Sequence, residues 1–206
     1  MMKRWPYLLL IVFVCFSCKK GKVLPSKILV HFEGVQQAGI YPEGNFELYD
    51  YYNNYIGSYS PNYVGGLDNS TYAQQFNEEL QRLLEKNNIQ LTSAPAEYEL
   101  KINSFFVDES LNKEAYTDSC SSGYPTAYVY YSDLQVHASA SLYKNGYFIE
   151  TWEKNAYSTE TVKSKTDYCN QPKIRSALYG PIGLSDRVAK ELRVRISKKM
   201  YELEVK

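Results

Sequence analysis

Apolar residues recur at helical spacing in two stretches of the chain. The first stretch has them at Tyr72, Phe76, Leu80, Leu83 and Leu84, and the second at Leu184, Val188, Leu192, Ile196 and Met200. Thr71 and Gln74 are spaced as a capping box for the first helix, and Ser185 is a suitable N-cap for the second. The pattern therefore predicts two amphipathic helices, one central and one C-terminal.

Other stretches alternate or are short and rich in β-forming residues, which predicts strands. These stretches are 27–32, 89–91, 98–102, 128–143 and 147–161. Asn145-Gly146 between the last two favours a type I′ hairpin turn, because both central positions of that turn need positive φ. In the return strand we expect Phe148 and Trp152 to share one face. Residues 108–125 are interpreted as a polar loop that contains Cys120.

Residues 38–69 change to a composition of Tyr, Asn, Gly, Ser and Pro with little aliphatic periodicity. Four tyrosines, Tyr51, Tyr52, Tyr55 and Tyr59, are the candidate binding residues here. One interpretation is a long loop with short strands in it that forms a contact surface, since loops beyond about 15 residues are uncommon unless they are functional or disordered. The other is a tyrosine-rich hairpin that packs on its own sheet.

Taken together, the elements predict an α+β fold. We expect one domain over residues 27–206, with a mainly antiparallel sheet and two helices packed on one of its faces. Its length suffices to bury a core of ordinary size without a second domain.

The N-terminus has the pattern of an export signal. Lys3 and Arg4 precede an apolar run of about a dozen residues, too short for a membrane span of about 20. Residues 15–18, Cys-Phe-Ser-Cys, resemble a lipobox. We therefore expect residues 1–17 to be a lipoprotein signal peptide, Cys18 to be lipidated, and residues 18–26 to be a tether. An ordinary secretory signal is the alternative.

Two cysteines, Cys120 and Cys169, remain beyond the signal and Cys18. An even number in an oxidising compartment such as the periplasm favours a disulfide between them. The alternative is two inert or intermolecular thiols.

Charge is balanced over the whole chain, with 23 basic and 23 acidic residues. This balance disfavours general nucleic-acid binding. The C-terminal helix is locally basic, and Arg187, Lys190 and Lys198 are predicted to lie opposite its apolar stripe. These residues could contact phosphate groups of a glycolipid, or they could form an ordinary solvated face.

Catalytic and metal-binding motifs are not recognisable in the sequence. It has no Gly-x-Ser-x-Gly elbow, His-Glu-x-x-His pair or phosphate-binding glycine loop. His137 is interpreted as a solvated strand residue, and the adjacent Asp108 and Glu109 as solvated charge. We therefore expect a protein without enzymatic activity, cofactor or metal. A hydrolase with an unrecognised site would require a deep pocket in which carboxylates or His137 converge.

The order of elements behind the lipobox resembles periplasmic α/β lipoproteins. In layout it is most similar to the lipopolysaccharide-assembly lipoprotein that plugs the outer-membrane translocon barrel. It shares parts of the order with the N-terminal domain of the Tol-Pal translocation protein and with lipoprotein activators of peptidoglycan synthases. The resemblance rests on element order, so it implies a fold and transfers no binding residue.

Two hypotheses of function follow. The leading one is a lipid-anchored outer-membrane protein that faces the periplasm and has an accessory or assembly role, contacting an envelope protein or glycolipid. The alternative is a glycan- or peptidoglycan-binding module that uses the Tyr-rich segment 41–72. Tyrosine enrichment is typical of both kinds of surface, so composition does not choose between them.

Overall fold

A computed structural model describes residues 21–41, 45–61, 66–117, 127–163 and 179–205. Its elements in chain order are β1 (Ile28–Glu33), β2 (Gly39–Tyr41), β3 (Phe46–Tyr49), β4 (Tyr55–Tyr59), α1 (Asn69–Glu85), β5 (Ile89–Thr92), β6 (Tyr98–Tyr116), β7 (Ala127–Lys144), β8 (Tyr147–Lys163) and α2 (Pro181–Glu204). Within these ranges no helix is both long and apolar enough to span a bilayer.

The main sheet has the strand order β5-β1-β6-β7-β8. Strands β6, β7 and β8 are long and antiparallel, as the sequence predicts. β1 lies between β5 and β6 and pairs with both in parallel, and β2 continues along the same edge of β6, also in parallel. The sheet is therefore mixed, and the predicted α+β class with mainly antiparallel strands is confirmed.

The hydrophobic core lies between one face of this sheet and the two helices. Helix α1 contributes Phe76 and Leu80, and α2 contributes Leu192 and Ile196, all at most 1% exposed. The Phe76 ring stacks on Phe105 of β6 at a centroid distance of 4.2 Å. Both helices thus bury the apolar stripes that their sequence periodicity predicted, on the same face of the sheet.

The helix starts differ from the predicted caps. The carboxylate of Asp68 caps α1, because Oδ1 accepts hydrogen bonds from the backbone N–H of Ser70 and of Thr71 at 2.8 and 3.1 Å. Helix α2 begins at Pro181, and Ser185 is buried inside it. Thr71 and Ser185 are therefore not N-caps. The better sequence signals for the helix starts were Asp68 for α1 and Pro181 for α2.

The predicted polar loop over residues 108–125 was wrong for residues 108–116, which belong to β6. β6 continues to Tyr116, with an irregularity in pairing between Ile102 and Ser104 that leaves Asn103 as an extra residue. Before this bulge the even-numbered residues of β6 are buried, and after it the odd-numbered residues are buried. The buried positions are Tyr98, Leu100 and Ile102, then Phe105, Val107 and Glu109. The alternation continues after the bulge, but in the opposite phase.

The β7–β8 hairpin has the predicted turn. Asn145 and Gly146 have φ values of 51° and 78°, as a type I′ turn requires. A second pairing irregularity, between Leu142 and Tyr143, separates the faces of Phe148 and Trp152. Trp152 is buried, whereas Phe148 is 60% exposed, so the expectation that they share a face was wrong.

The first described residues lie against the domain. Leu24 is 1% exposed and belongs to the core. The Nδ2 groups of Asn87 and Asn88 donate to the carbonyl oxygens of Lys22 and Leu24, at 2.8 and 2.5 Å. Residues 21–24, within the predicted tether, are therefore part of the folded structure. Cys18, Cys120 and Cys169 lie outside the described residues.

Candidate binding surface

The tyrosine-rich segment forms the antiparallel hairpin β3–β4, which we call the tyrosine hairpin (residues 46–59). Of the two interpretations left open by the sequence, the structure thus has the packed hairpin. The hairpin lies beside the part of β6 and β7 that extends beyond the helices, since its contacts are with Glu109 and Tyr130. It therefore covers the end of the sheet that is opposite the start of β6.

Tyr130 of β7 fixes β3 through its hydroxyl group. The hydroxyl donates to the carbonyl oxygen of Tyr49 at 2.5 Å and accepts from the backbone N–H of Tyr49 at 2.8 Å. One side chain therefore satisfies both backbone polar groups of a hairpin residue, which holds the hairpin in one position on the sheet.

Glu109 fixes β4. Its side chain is fully buried, and its Oε1 accepts hydrogen bonds from the hydroxyl groups of Tyr59 and Ser132 at 2.7 and 2.8 Å. The sequence interpretation of Glu109 as solvated charge was wrong, because the bulge in β6 turns this residue toward the core. Of the four candidate tyrosines, Tyr59 is thus a structural residue.

The turn between β3 and β4 is organised by Asp50. Its carboxylate accepts from the backbone N–H of Tyr52 and of Asn54 at 2.9 and 2.7 Å, and from the Asn54 side chain at 2.9 Å. These hydrogen bonds, with those from Asn54 the largest cause, lower the pKa of Asp50. Asn53 takes a φ of 66°, which asparagine tolerates better than most residues. The loop therefore has a defined conformation.

Tyr51, Tyr52 and Tyr55 project from this turn into solvent. Tyr52 and Tyr55 are 75% and 60% exposed. The ring of Tyr51 meets Tyr52 edge to face at 5.8 Å and also lies 5.6 Å from Tyr128 of β7. Tyr51 and Tyr52 thus adjoin each other, and Tyr55, at the start of β4, lies 6.0 Å from the Tyr49 ring beside the same turn. We call Tyr51, Tyr52 and Tyr55 together the tyrosine tip.

Lys113 places a positive charge beside the tyrosine tip. Its Nζ lies 4.4 Å from the centroid of the Tyr128 ring, a cation–π geometry. The tip therefore combines aromatic surface, which is enriched at protein interfaces, with one neighbouring ammonium group.

The three basic candidates of α2 are exposed but do not form one cluster. Arg187 lies over the ring of Tyr179, with Cζ 5.2 Å from its centroid. Lys198 is 3.9 Å from Glu202. Eleven residues separate Arg187 from Lys198, roughly 16 Å along a helix. Lys190 lies between them, so the predicted basic face extends along the helix and does not converge on a point.

Among the described residues, His137 and the carboxylates are not brought together in an arrangement that would suggest hydrolysis. The His137 ring stacks on Phe106 at 4.6 Å, and its Nδ1 lies 2.5 Å from Oδ1 of Asn155. Burial raises the pKa of Asp108. Asp108 pairs with Gln135 across the sheet, whereas His137 pairs with Phe106. Among the described ranges no group of three or more His, Cys, Asp or Glu side chains is arranged to hold a metal ion.

Comparison with solved structures finds bacterial proteins of low identity, several of them lipoproteins. A neuraminyllactose-binding hemagglutinin homolog from Helicobacter pylori is 11% identical, with 88% of this chain and 89% of that chain covered and a TM-score of 0.47. A minor lipoprotein from Acinetobacter baumannii is 10% identical over 86% of this chain and 91% of that one, with a TM-score of 0.37.

Rare lipoprotein B from Shewanella oneidensis is 13% identical, covering 63% of this chain and 87% of its own, with a TM-score of 0.28. No protein-family model matches the sequence, and no curated protein matches it. At TM-scores of 0.28 to 0.47 these likenesses assign neither a family nor a function to the chain.

Proposed function

We propose that this protein is a non-enzymatic lipoprotein of the bacterial cell envelope, anchored through Cys18 to the outer membrane and facing the periplasm. In this proposal the tyrosine tip contacts another envelope protein, in an accessory or assembly role. The observation that carries the proposal is the ordered, exposed set of Tyr51, Tyr52 and Tyr55 at one end of the domain, with the N-terminal segment at the other.

The distance between the two ends follows from the strands. Residues 21–24 lie beside Asn87 and Asn88, at the end of the sheet where β6 begins. The tyrosine hairpin contacts Glu109, eleven residues further along β6. At about 3.3 Å per residue, the separation is roughly 35 Å. A lipid at Cys18 would hold one end at the membrane and present the tyrosine tip away from it.

The polar groups of the turn are already hydrogen-bonded within it, and this favours a protein partner over a glycan. Recognition of sugars needs hydrogen-bonding side chains beside the aromatic rings. Here the Asp50 carboxylate and the Asn54 amide bond to each other and to the backbone, so engaging a sugar would break contacts that order the turn. Exposed aromatic surface is enriched at protein interfaces.

The tyrosine tip is tested by affinity capture from the native envelope. We expect Tyr51→Ser, Tyr52→Ser and Tyr55→Ser together to remove the captured partner, because exposed aromatic residues dominate the binding energy of interfaces. Tyr41→Ser with Tyr157→Ser is the matched control, since these tyrosines are 57% and 59% exposed and are not in the hairpin.

Unchanged capture by the triple variant would contradict the proposed contact. Retention of the wild-type domain on a glycan array or on peptidoglycan, abolished in the triple variant, would instead assign the tip to the glycan-binding alternative.

The anchor is tested separately. We expect Cys18→Ala to abolish incorporation of labelled fatty acid and to release the protein from membranes. Persistent labelling of the variant would refute lipidation at Cys18, whatever the tyrosine tip binds.

A glycolipid is the other proposed partner, with its phosphate groups bound by the basic residues of α2. Alanine at Arg187, Lys190 and Lys198 is then expected to weaken binding to lipopolysaccharide, measured by surface plasmon resonance on the lipid. Equal binding by variant and wild type would leave these side chains as a solvated helix face.

A further inference from the structure

The folded structure begins very close to Cys18. Gly21 is packed so tightly that an added Cβ would lie 2.4 Å from both the Asn87 Nδ2 and the Ser197 Oγ. Three residue steps from Cys18 to Gly21 span at most roughly 10 Å, even fully extended. A lipid on Cys18 would therefore keep this end of the domain within about one nanometre of the membrane. We call it the anchor end.

Basic side chains are concentrated at the anchor end. Lys22, Lys27, Lys86 and Lys198 are exposed there, and Lys19 and Lys20 precede Gly21 in the sequence. Lys22 and Lys198 line a shallow cavity of about 280 Å³ that also includes Tyr201, Glu202 and Val205.

The described lysines of this end, with Lys144 included, outnumber the glutamates by five to four, and most of the glutamates are paired. Glu97 and Glu204 each lie 3.2 Å from Nζ of Lys144, and Glu202 lies 3.9 Å from Lys198. Glu85 lies near Lys27 in another cavity. Since the whole chain has no net charge, the excess of lysine is a local property of this end.

Exposed apolar side chains accompany these lysines. Tyr147 and Phe148 are 77% and 60% exposed. They follow the Asn145-Gly146 turn, whose Asn145 N–H donates to the carbonyl oxygen of Glu97 at 2.8 Å, and this places the turn at the anchor end. Val23 and Val205 are exposed there as well. Aromatic residues beside basic ones are typical of surfaces that lie at the interface of a bilayer.

We infer that the anchor end lies directly on an anionic phospholipid leaflet, with Lys22, Lys27 and Lys198 against the phosphates and with Tyr147 and Phe148 in the headgroup region. The inference adds a second, protein-based membrane contact to the proposed lipid anchor, and its orienting role rests on that anchor. The membrane would fix the orientation of the domain, so that the tyrosine tip points away from the leaflet.

The charge contribution is tested without the lipid, on residues 18–206 carrying Cys18→Ser, which include the entire described fold. Binding is measured by co-sedimentation with vesicles of phosphatidylethanolamine and phosphatidylglycerol. Lys22→Gln with Lys198→Gln is expected to weaken binding about 25-fold, since each basic residue near such a surface contributes about fivefold. Lys154→Gln removes one positive charge in the middle of β8, where Lys154 pairs with Ala138, and should change binding by less than about twofold.

The aromatic contribution is tested in the same assay. Tyr147→Ser with Phe148→Ser should weaken binding at both low and high salt, whereas the lysine effect should disappear at about 0.5 M salt because the phosphates are screened. Tyr41→Ser with Tyr157→Ser is the control of similar exposure.

The outcomes separate the two proposals. Equal binding to phosphatidylcholine vesicles and anionic vesicles, or a loss in the Lys154→Gln control as large as in the lysine variant, would overturn the inferred membrane surface. Fatty acid labelling that persists in Cys18→Ala would overturn the lipid anchor alone, because the vesicle assay uses protein without the lipid.

Discussion

The hydroxyl group of Tyr130 shows how much of the candidate surface depends on one atom. It satisfies both backbone groups of Tyr49, and without it β3 would lose its hydrogen bonds to β7. The tyrosine tip is carried by that hairpin, so the order of the tip depends on a residue of another strand.

We predict that Tyr130→Phe loosens the tyrosine hairpin. The variant leaves the N–H and the carbonyl of Tyr49 without their partner, which costs roughly 1–3 kcal/mol. Hydrogen exchange should therefore accelerate in residues 46–59 and remain unchanged in α1 and α2. Tyr55→Phe, which removes a hydroxyl from an exposed side chain, is the control. Uniform acceleration over the whole domain would contradict a local role.

Asp50 gives the turn a pH dependence. Because hydrogen bonding lowers the folded-state pKa of Asp50 below that of the unfolded chain, its contribution to stability is complete above about pH 4. It is lost as the pH falls through the lowered pKa. The amide resonances of Tyr52 and Asn54 are expected to titrate together in this acidic window. Asp50→Asn should abolish the titration, and resonances that stay constant down to about pH 2 would be inconsistent with it.

The candidate site could be predicted from the sequence only in part. Tyr51, Tyr52 and Tyr55 are exposed as their polar surroundings suggested, but Tyr59 has the same surroundings and points inward to Glu109. Composition does not distinguish them, because the difference depends on which face of β4 meets a strand some 50 residues away.

At the level of elements, the apolar periodicities predicted both helices and the long β-hairpin, and the structure confirms them. The errors occurred where a strand changes phase. An extra residue at Asn103 shifts the alternation of β6, so its second half seemed to be a polar loop, and the irregularity beside Tyr143 moved Phe148 to the other face. A bulge has no strong sequence signal of its own, since it is stabilised by contacts with the neighbouring strand.

The N-terminus of α1 provides a direct comparison of the two capping assignments. We predict that Asp68→Ala lowers the free energy of unfolding by about 1 kcal/mol, since it removes the acceptor for two N–H groups. Thr71→Ala, at the position favoured by the capping-box pattern, should change it by only a few tenths. Urea denaturation measures both. A larger loss in Thr71→Ala would restore the original assignment.

For the whole molecule, the positions where the long strands end can be compared with the predicted disulfide. Tyr116 pairs with Ala127, and Tyr130 with Lys163. The described strands next to the segments that contain Cys120 and Cys169 therefore end at the same end of the sheet, and the disulfide itself stays a prediction.

We predict that Cys120→Ser with Cys169→Ser lowers stability by up to about 4 kcal/mol, because the bond would close a loop of about 50 residues. Wild type in reductant should unfold at the same urea concentration as the double variant. Two free thiols detected by mass spectrometry in protein purified under oxidising conditions would exclude the bond.

The position of β1 in the sheet has a consequence for the order in which the chain folds. This first strand has its partners in β5 and β6, some 60 residues later in the sequence, and contacts so distant slow folding because a long loop must close first. β1 therefore stays without its partners until residues 89–101 are available to pair with it. A lipid at Cys18 would tether the chain close to β1, on the N-terminal side of the strand that pairs with β5 and β6 on its two edges.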